Sequence, residues 1–227
     1  MKTMITFSKI KNNSHLLEFI KQSERALKNE GYTNHGLAHV QLVADRARTV
    51  AREMGLSKEE QEMAAISGFC HDMGNFLSRS YHQYFGALLF YQVFKNEFPI
   101  AQLSAIMQAI ASHDSSHSKE EMNFSSPVSA ILVIADKSDV RRERVYTKDL
   151  REIKSDIHSR VNYATYWSKL KIDNRKKKIT LTLKIDTKFV PIIEYFEIFT
   201  QRMVYCRKAA KYLGYKFGLV INNFKLL

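Results

Sequence analysis

Apolar residues recur at helical spacing along most of the first 136 positions. Between Ser14 and Asn29 the repeat is Leu16, Leu17, Phe19, Ile20 and Leu27, and Gly31 supplies a C-terminal stop. A second helix is expected after Asn34 as far as Met54, with an inward stripe of Leu42, Val43, Ala47, Val50 and Met54 and with Gly55 closing it. Ser57 with Glu60 forms a capping box for a third, which runs through Met63–Cys70 to His71-Asp72 before Gly74 breaks it. Ser80 with Gln83 predicts another box, opening a helix from Tyr81 to about Glu97. Beyond Pro99 a helix over Ile100–Ser112 buries Leu103, Ile106, Ala109 and Ile110, and the polar stretch Asp114–Ser125 reads as a loop exposing His117. Ser126-Pro127, a cap followed by proline at the first helical position, starts a helix expected to reach about Arg144.

After Arg144 the period changes. A helix is expected near Asp149–Arg160, an extended segment over Tyr163–Trp167, and a β-hairpin from Leu170–Ile172 and Lys178–Ile185 turning at Asp173-Asn174. A helix over Pro191–Leu213, stopped by Gly214, and a third strand over Tyr215–Ile221 complete the chain. The fold class is therefore mainly α: a helical domain over 1–145 and a small basic α+β appendage over 146–227.

Composition agrees: among 227 residues there are 8 Gly and 3 Pro, and 45% are apolar. Met1–Lys11 has no apolar core of a signal peptide, and no stretch approaches the roughly 18 apolar residues of a membrane span. Two cysteines, Cys70 and Cys206, are too few for a disulfide framework. A soluble cytoplasmic protein with no membrane partner is the expectation. The net charge of +12 is unevenly placed, because residues 137–227 hold 22 Lys+Arg against 9 Asp+Glu. Such a region attracts polyanions such as nucleotides or nucleic acid, or is simply a solvated basic face.

The chemistry lies on the core faces. His71 and Asp72 are adjacent at a helix end, and a buried carboxylate needs a cation or a metal; taken alone, the pair reads first as a histidine and an aspartate hydrogen-bonded at a helix terminus. His39 shares the stripe of Leu42 and Val43, as a ligand or as a core histidine bonded to a carbonyl, while His35 in the first turn is a cap or a support for a ligand. His82 faces inward with Phe85, Gly86, Leu89 and Phe90; His113 continues the face of Ile110; and Asp136, flanked by Leu132, Val133 and Val140, needs either an arginine or a metal. Imidazole and carboxylate without cysteine suit Fe, Mn or Mg, with Zn as a further option.

The order His39, His71-Asp72, Asp136, with Val43-Ala44 and Ile134-Ala135 flanking, resembles the HD superfamily of metal-dependent phosphohydrolases. His82 before Gly86-Ala87, together with Ala111-Ser112-His113, resembles its dinuclear branch, which includes bacterial diadenosine tetraphosphate hydrolases. The likeness spans about residues 30–145. It implies one divalent metal on His39, His71 and Asp136, a second on His82 and His113, and Asp72 bridging, with His71 and Asp72 at the catalytic centre. It also implies a nucleotide-like phosphorylated substrate: a diadenosine polyphosphate, a mononucleotide or a cyclic nucleotide. Many HD enzymes carry a lysine where this chain has Asn75, so phosphate contacts fall to Arg141, Arg142 and Arg144, with Arg79 and Lys137 as further candidates. A nucleic-acid- or nucleotide-binding regulator on the same scaffold, using Tyr163, Tyr166 and Trp167 beside Arg175–Lys178, is the alternative.

Overall fold

A computed structural model describes residues 6–114 and 123–226. The helices are α1 (Phe7–Ile10), α2 (Ser14–Asn29), α3 (Leu37–Glu53), α4 (Lys58–Cys70), α5 (His82–Phe94), α6 (Ile100–Ala111) and α7 (Pro127–Lys137). After a short 3-10 turn at Arg142–Arg144 come α8 (Leu150–Ser155), α9 (Ile157–Ala164), β1 (Thr165–Asp173), β2 (Lys178–Ile185), α10 (Ile192–Tyr212), β3 (Lys216–Ile221) and β4 (Phe224–Lys225). The protein is mainly helical with a small sheet. Among the described residues no helix is long and apolar enough to cross a membrane. His117 and most of the expected Asp114–Ser125 loop lie outside the described residues.

Local signals set several boundaries. The Ser57–Glu60 box caps α4, and Ser126 caps α7 with proline in the first turn. Gly31, Gly55 and Gly214 close α2, α3 and α10 with φ of +82°, +80° and +77°. The buried stripe of α3 is Val40, Val43, Ala44, Ala47, Val50 and Ala51, with Leu42 and Met54 only partly covered.

Four expectations are corrected. The Ser80–Gln83 box does not form: Tyr81 caps α5 in the left-handed region without a side-chain bond, so the helix begins at His82 and ends at Phe94. Helix α7 stops at Lys137, seven residues before Arg144. There the Ser138 hydroxyl donates to the Ala135 carbonyl, and the Asp139 carboxylate turns inward to collect donors, which diverts the backbone from the helical path. The Asp149–Arg160 segment is two helices, because the Asp156 side chain accepts from Ser159 N and starts α9 afresh. Tyr163 and Ala164 complete α9, and extended backbone begins only at Thr165.

Gly68 makes possible the closest helix contact behind the site. A Cβ there would meet the Ala44 Cα and N at 2.9 Å, both rigid backbone atoms of α3. Gly68→Ala is therefore expected to separate α3 from α4 and cost about 1–3 kcal/mol, read as a lower denaturation midpoint at unchanged m-value. Gly74 has the same role just past the end of α4, where a Cβ would collide with the His82 carbonyl and approach Gly86 N at 2.5 Å. The start of α5 thereby reaches the end of α4.

The sheet order is β1-β2-β3-β4, with β1 antiparallel to β2, β2 parallel to β3 and β3 antiparallel to β4. Its inner residues Ile179, Leu181, Leu183, Phe217, Leu219 and Ile221 pack in one cluster with Phe199 and Cys206 of α10 and with Ala130, Val133 and Ile134 of α7. The same helix, α7, carries Asp136, so the last ligand-type residue rests on a core shared by both halves of the chain.

Candidate metal centre

Four imidazoles and two carboxylates converge from the ends and faces of five segments. His39 stands one turn into α3, His71 and Asp72 follow α4, His82 opens α5, His113 follows α6, and Asp136 lies in the last turn of α7. All four histidines are at most 1% exposed, and Asp72 is 4% exposed.

Helix termini fix the ring tautomers. His71, His82 and His113 each have Nδ1 against the backbone carbonyl three residues earlier, Gly68 at 2.8 Å, Arg79 at 2.9 Å and Ile110 at 2.7 Å. A carbonyl only accepts, so Nδ1 carries the proton and Nε2 presents a lone pair. His39 reaches the same state by another route, because its Nδ1 donates to Asp139 Oδ2 at 2.8 Å. Arg144 Nη1, 2.8 Å from that nitrogen and 3.3 Å from Asp139 Oδ2, supplies the countercharge to the carboxylate.

The Nε2 atoms face one another across Asp72. His39 and His71 Nε2 are 3.3 Å apart, and those of His82 and His113 3.2 Å. Two converging lone pairs repel unless a cation or a proton lies between them. Asp72 divides its oxygens: Oδ2 is 3.3 Å from His71 and 3.6 Å from His39, while Oδ1 is 3.3 Å from His82 and 3.7 Å from His113. Asp136 Oδ1 joins the first set, 3.4 Å from His39 and 3.6 Å from His71. Enclosed and reached by no hydrogen bond of ordinary geometry, Asp72 Oδ2 is an orphaned acceptor. That orphan and the borderline donor set fit divalent cations, and triads drawn from His39, His71, Asp72, His82, His113 and Asp136 have ligand atoms close enough to hold an ion.

The electrostatics agree with a cation site. Burial pushes the Asp72 carboxyl upward, but His71, His113 and His82 beside it prevail and hold it well below the usual carboxylate range. Burial lowers His71, whereas Asp72 and Asp136 raise it further, to about 10, so in a metal-free centre a proton takes the cation's place there. For His113 burial prevails and pulls it down to about 4. Asp136 is also held low against its burial, chiefly by Lys137 Nζ at 2.8 Å from Oδ2.

A cavity of about 140 Å³ opens over this cluster, lined by Asp72, His82, His113 and Asp136 and by the cations Arg79, Lys137, Arg144 and Arg202. Of the sequence-derived phosphate contacts, Arg79, Lys137 and Arg144 line it. Arg141 and Arg142 do not: Arg141 Nε is 2.6 Å from Asp139 Oδ1, and Arg142 donates to the Tyr163 carbonyl at 2.7 Å and stacks on the Tyr163 and Tyr166 rings. The early end of α7 accounts for this, since a helix continued to Arg144 would have carried both along its surface. Asn75 links Arg79 to the centre, donating to Asp72 Oδ1 at 3.0 Å and accepting from Arg79 Nη1 at 2.9 Å. His35 stands on the cavity wall.

Two groups escape sequence reasoning. Asp139 follows Asp136 by three residues, a spacing that hints at a shared face. Arg202, in the middle of α10, has no local signal; its guanidinium packs over the Phe199 ring at 4.8 Å, and no carboxylate among the described residues lies within ion-pair distance of it.

The helices gather four Nε2 lone pairs and two carboxylates around one cavity, a histidine-aspartate cluster that could hold metal. Residues 36–141 match the HD domain family. This segment, a little under half of the chain, is similar to the HD domain, and with the His/Asp clusters it supports a metal-dependent phosphohydrolase. A crystal structure of a predicted HD superfamily hydrolase from an uncultured Thermotogales bacterium is similar over 65% of this chain and 79% of that one, at 17% identity and a TM-score of 0.43. Comparison with curated proteins gave no match.

Proposed function

We propose that the protein hydrolyses a phosphoester or phosphoanhydride of a nucleotide-like substrate using two divalent ions that share Asp72. The division of the Asp72 oxygens between two histidine pairs carries this reading. His39, His71, Asp136 and Asp72 Oδ2 would hold one ion, and His82, His113 and Asp72 Oδ1 the other. Bound there, Fe, Mn, Mg or Zn would lower the pKa of water towards neutrality and offset charge developing at phosphorus. The chain's own residues position. Asp139 and three helix-end carbonyls hold the imidazoles, while Lys137 offsets the second oxygen of Asp136. Arg79, Arg144 and Arg202 border the space a phosphoryl group would fill, where a guanidinium can bind two oxygens at once. At about 140 Å³ the cavity suits a phosphoryl group, being below the roughly 300 Å³ at which small-molecule pockets begin. The likeness of the His82 and His113 motifs to the dinuclear branch makes diadenosine polyphosphates the first substrates to try, then mononucleotides and cyclic nucleotides.

Elemental analysis of protein purified without chelators or a metal-binding tag tests the ion count. Near two ions per chain are expected, falling towards one in His82→Ala. Loading with Mn or Fe should then give hydrolysis of a member of the nucleotide panel, and a loaded protein that cleaves none of them removes the proposal. Arg202→Ala should raise KM for the cleaved substrate by about 10- to 100-fold, since a charged hydrogen bond contributes about 1.5–3 kcal/mol, while metal content stays the same.

A further inference from the structure

The sheet buries one face, and among the described residues no helix or strand covers the other. Alternation assigns Ile179, Leu181, Leu183 and Ile185 to the core, and puts Lys178, Thr180, Thr182 and Lys184 of β2 outside. Trp167, Lys169 and Lys171 of β1 pair with Lys184, Thr182 and Thr180, so they share that outer face. Lys216, Gly218 and Val220 of β3 extend it, and Lys225 of β4 pairs with Val220 at its edge. A Cβ on Gly218 would run into the Lys178 side chain, which therefore lies flat across β3.

Six lysines thus lie on one face: Lys169, Lys171, Lys178, Lys184, Lys216 and Lys225. The single carboxylate among them, Asp173 at the hairpin end, accepts from Lys176 N at 2.9 Å. Lys178 stands between Asp173 on β1 and Lys216 on β3, so the one carboxylate of the face lies at its hairpin end. Trp167 is 38% exposed, with Lys169 Nζ 4.9 Å from its ring centroid. Arg175, Lys176 and Lys177 continue the charge around the turn between β1 and β2.

We propose that this face, Trp167 with its six surrounding lysines, binds single-stranded nucleic acid. The charge fits a polyanion. A flat sheet does not enter a duplex groove, whereas unpaired bases lie across sheets and stack on exposed aromatic rings. Among the described strand residues paired across this face, Trp167 and Val220 carry the apolar surface, which is too little for insertion into a lipid surface. Lysine, threonine hydroxyls and a single ring favour backbone contact with little sequence preference. The surface is separate from the metal centre, so it operates whether or not the hydrolytic substrate proposed above is the right one.

Fluorescence anisotropy of the full-length protein with a labelled 20-nucleotide uridine oligomer tests this. Binding should weaken steeply with salt. The combined variant Lys169→Ala, Lys171→Ala, Lys184→Ala should lose at least about tenfold in affinity and lower the salt slope by about 2, near 0.7 per phosphate contact. Trp167→Ala should lose about 5- to 100-fold, and His71→Ala should bind like the wild type. All four positions are exposed, and unchanged hydrolysis by the lysine variant checks that it folds. Undiminished affinity in the lysine variant overturns the proposal. So does loss of binding in His71→Ala, which would move the oligomer to the metal centre. Equal, lysine-dependent binding to vesicles containing phosphatidylserine overturns it in favour of a membrane surface, and tighter binding to duplex overturns the stacking role of Trp167.

Discussion

Asp72→Ala should abolish hydrolysis, by about a thousandfold or more, and remove bound metal from both halves of the centre. Its two oxygens face different histidine pairs, so the substitution takes one ligand from each ion and leaves four Nε2 lone pairs converging with less anionic charge between them. A thousandfold loss is about 4 kcal/mol of barrier, an ordinary amount for dismantling a paired-metal clamp. The check is elemental analysis beside rates on the substrate the wild type cleaves. A variant retaining one ion and most of its rate would show that the two histidine pairs act independently, which the shared carboxylate argues against.

Asp139→Ala is the second large effect, and it works without touching substrate. The Asp139 side chain is fully enclosed and takes His39 Nδ1, Arg141 Nε and Arg144 Nη1. Its removal leaves Arg144 buried beside a freed imidazole. Breaking a buried ion pair on one side costs about 3–5 kcal/mol, or roughly 6–20 °C in Tm for a chain of this length. Because His39 also loses the partner that fixes its tautomer, metal affinity should fall about 10- to 100-fold. Burial raises the Asp139 carboxyl, but His39, Arg144 and Arg141 together hold it far below the usual range. A lowered folded-state value means that the contribution is fully present above the unfolded value of about 3.9 and declines as pH falls beneath it. The stability gap between wild type and variant should therefore be constant near neutrality and narrow below about pH 4, as thermal melts across that range would record.

The two residues behind these predictions differ in how well the sequence announces them. Asp72 is legible because His71 precedes it at the end of an apolar run with its own capping box, a local pattern. Asp139 is hidden by an error of continuation: an α7 drawn on to Arg144 makes positions 139–142 look like another turn of surface helix. The folded chain ends α7 at Lys137 because a buried carboxylate collecting three donors outweighs one more helical turn. The same error put Arg141 and Arg142 among the phosphate contacts. Helix starts marked by Ser57 and Ser126 were readable, since a capping box lies within four residues. The start of α5 was not, because Gly74 and Gly86 set it by contact with the end of α4, a long-range condition that overrides the local Ser80–Gln83 signal. Arg202 lies beyond pattern reading altogether: only the tertiary packing of α10 on α7 brings it to Asp136.

That packing divides the labour of the site between stretches of chain that can vary separately. The candidate ligands come from the segment that matches the HD family, whereas Ile198, Gln201, Arg202 and Tyr205, which line the cavity, come from a helix outside it. Substitutions along one face of α10 could thus retune which molecule is admitted while the His/Asp cluster stays unaltered, much as interchangeable jaws serve a single cutting edge.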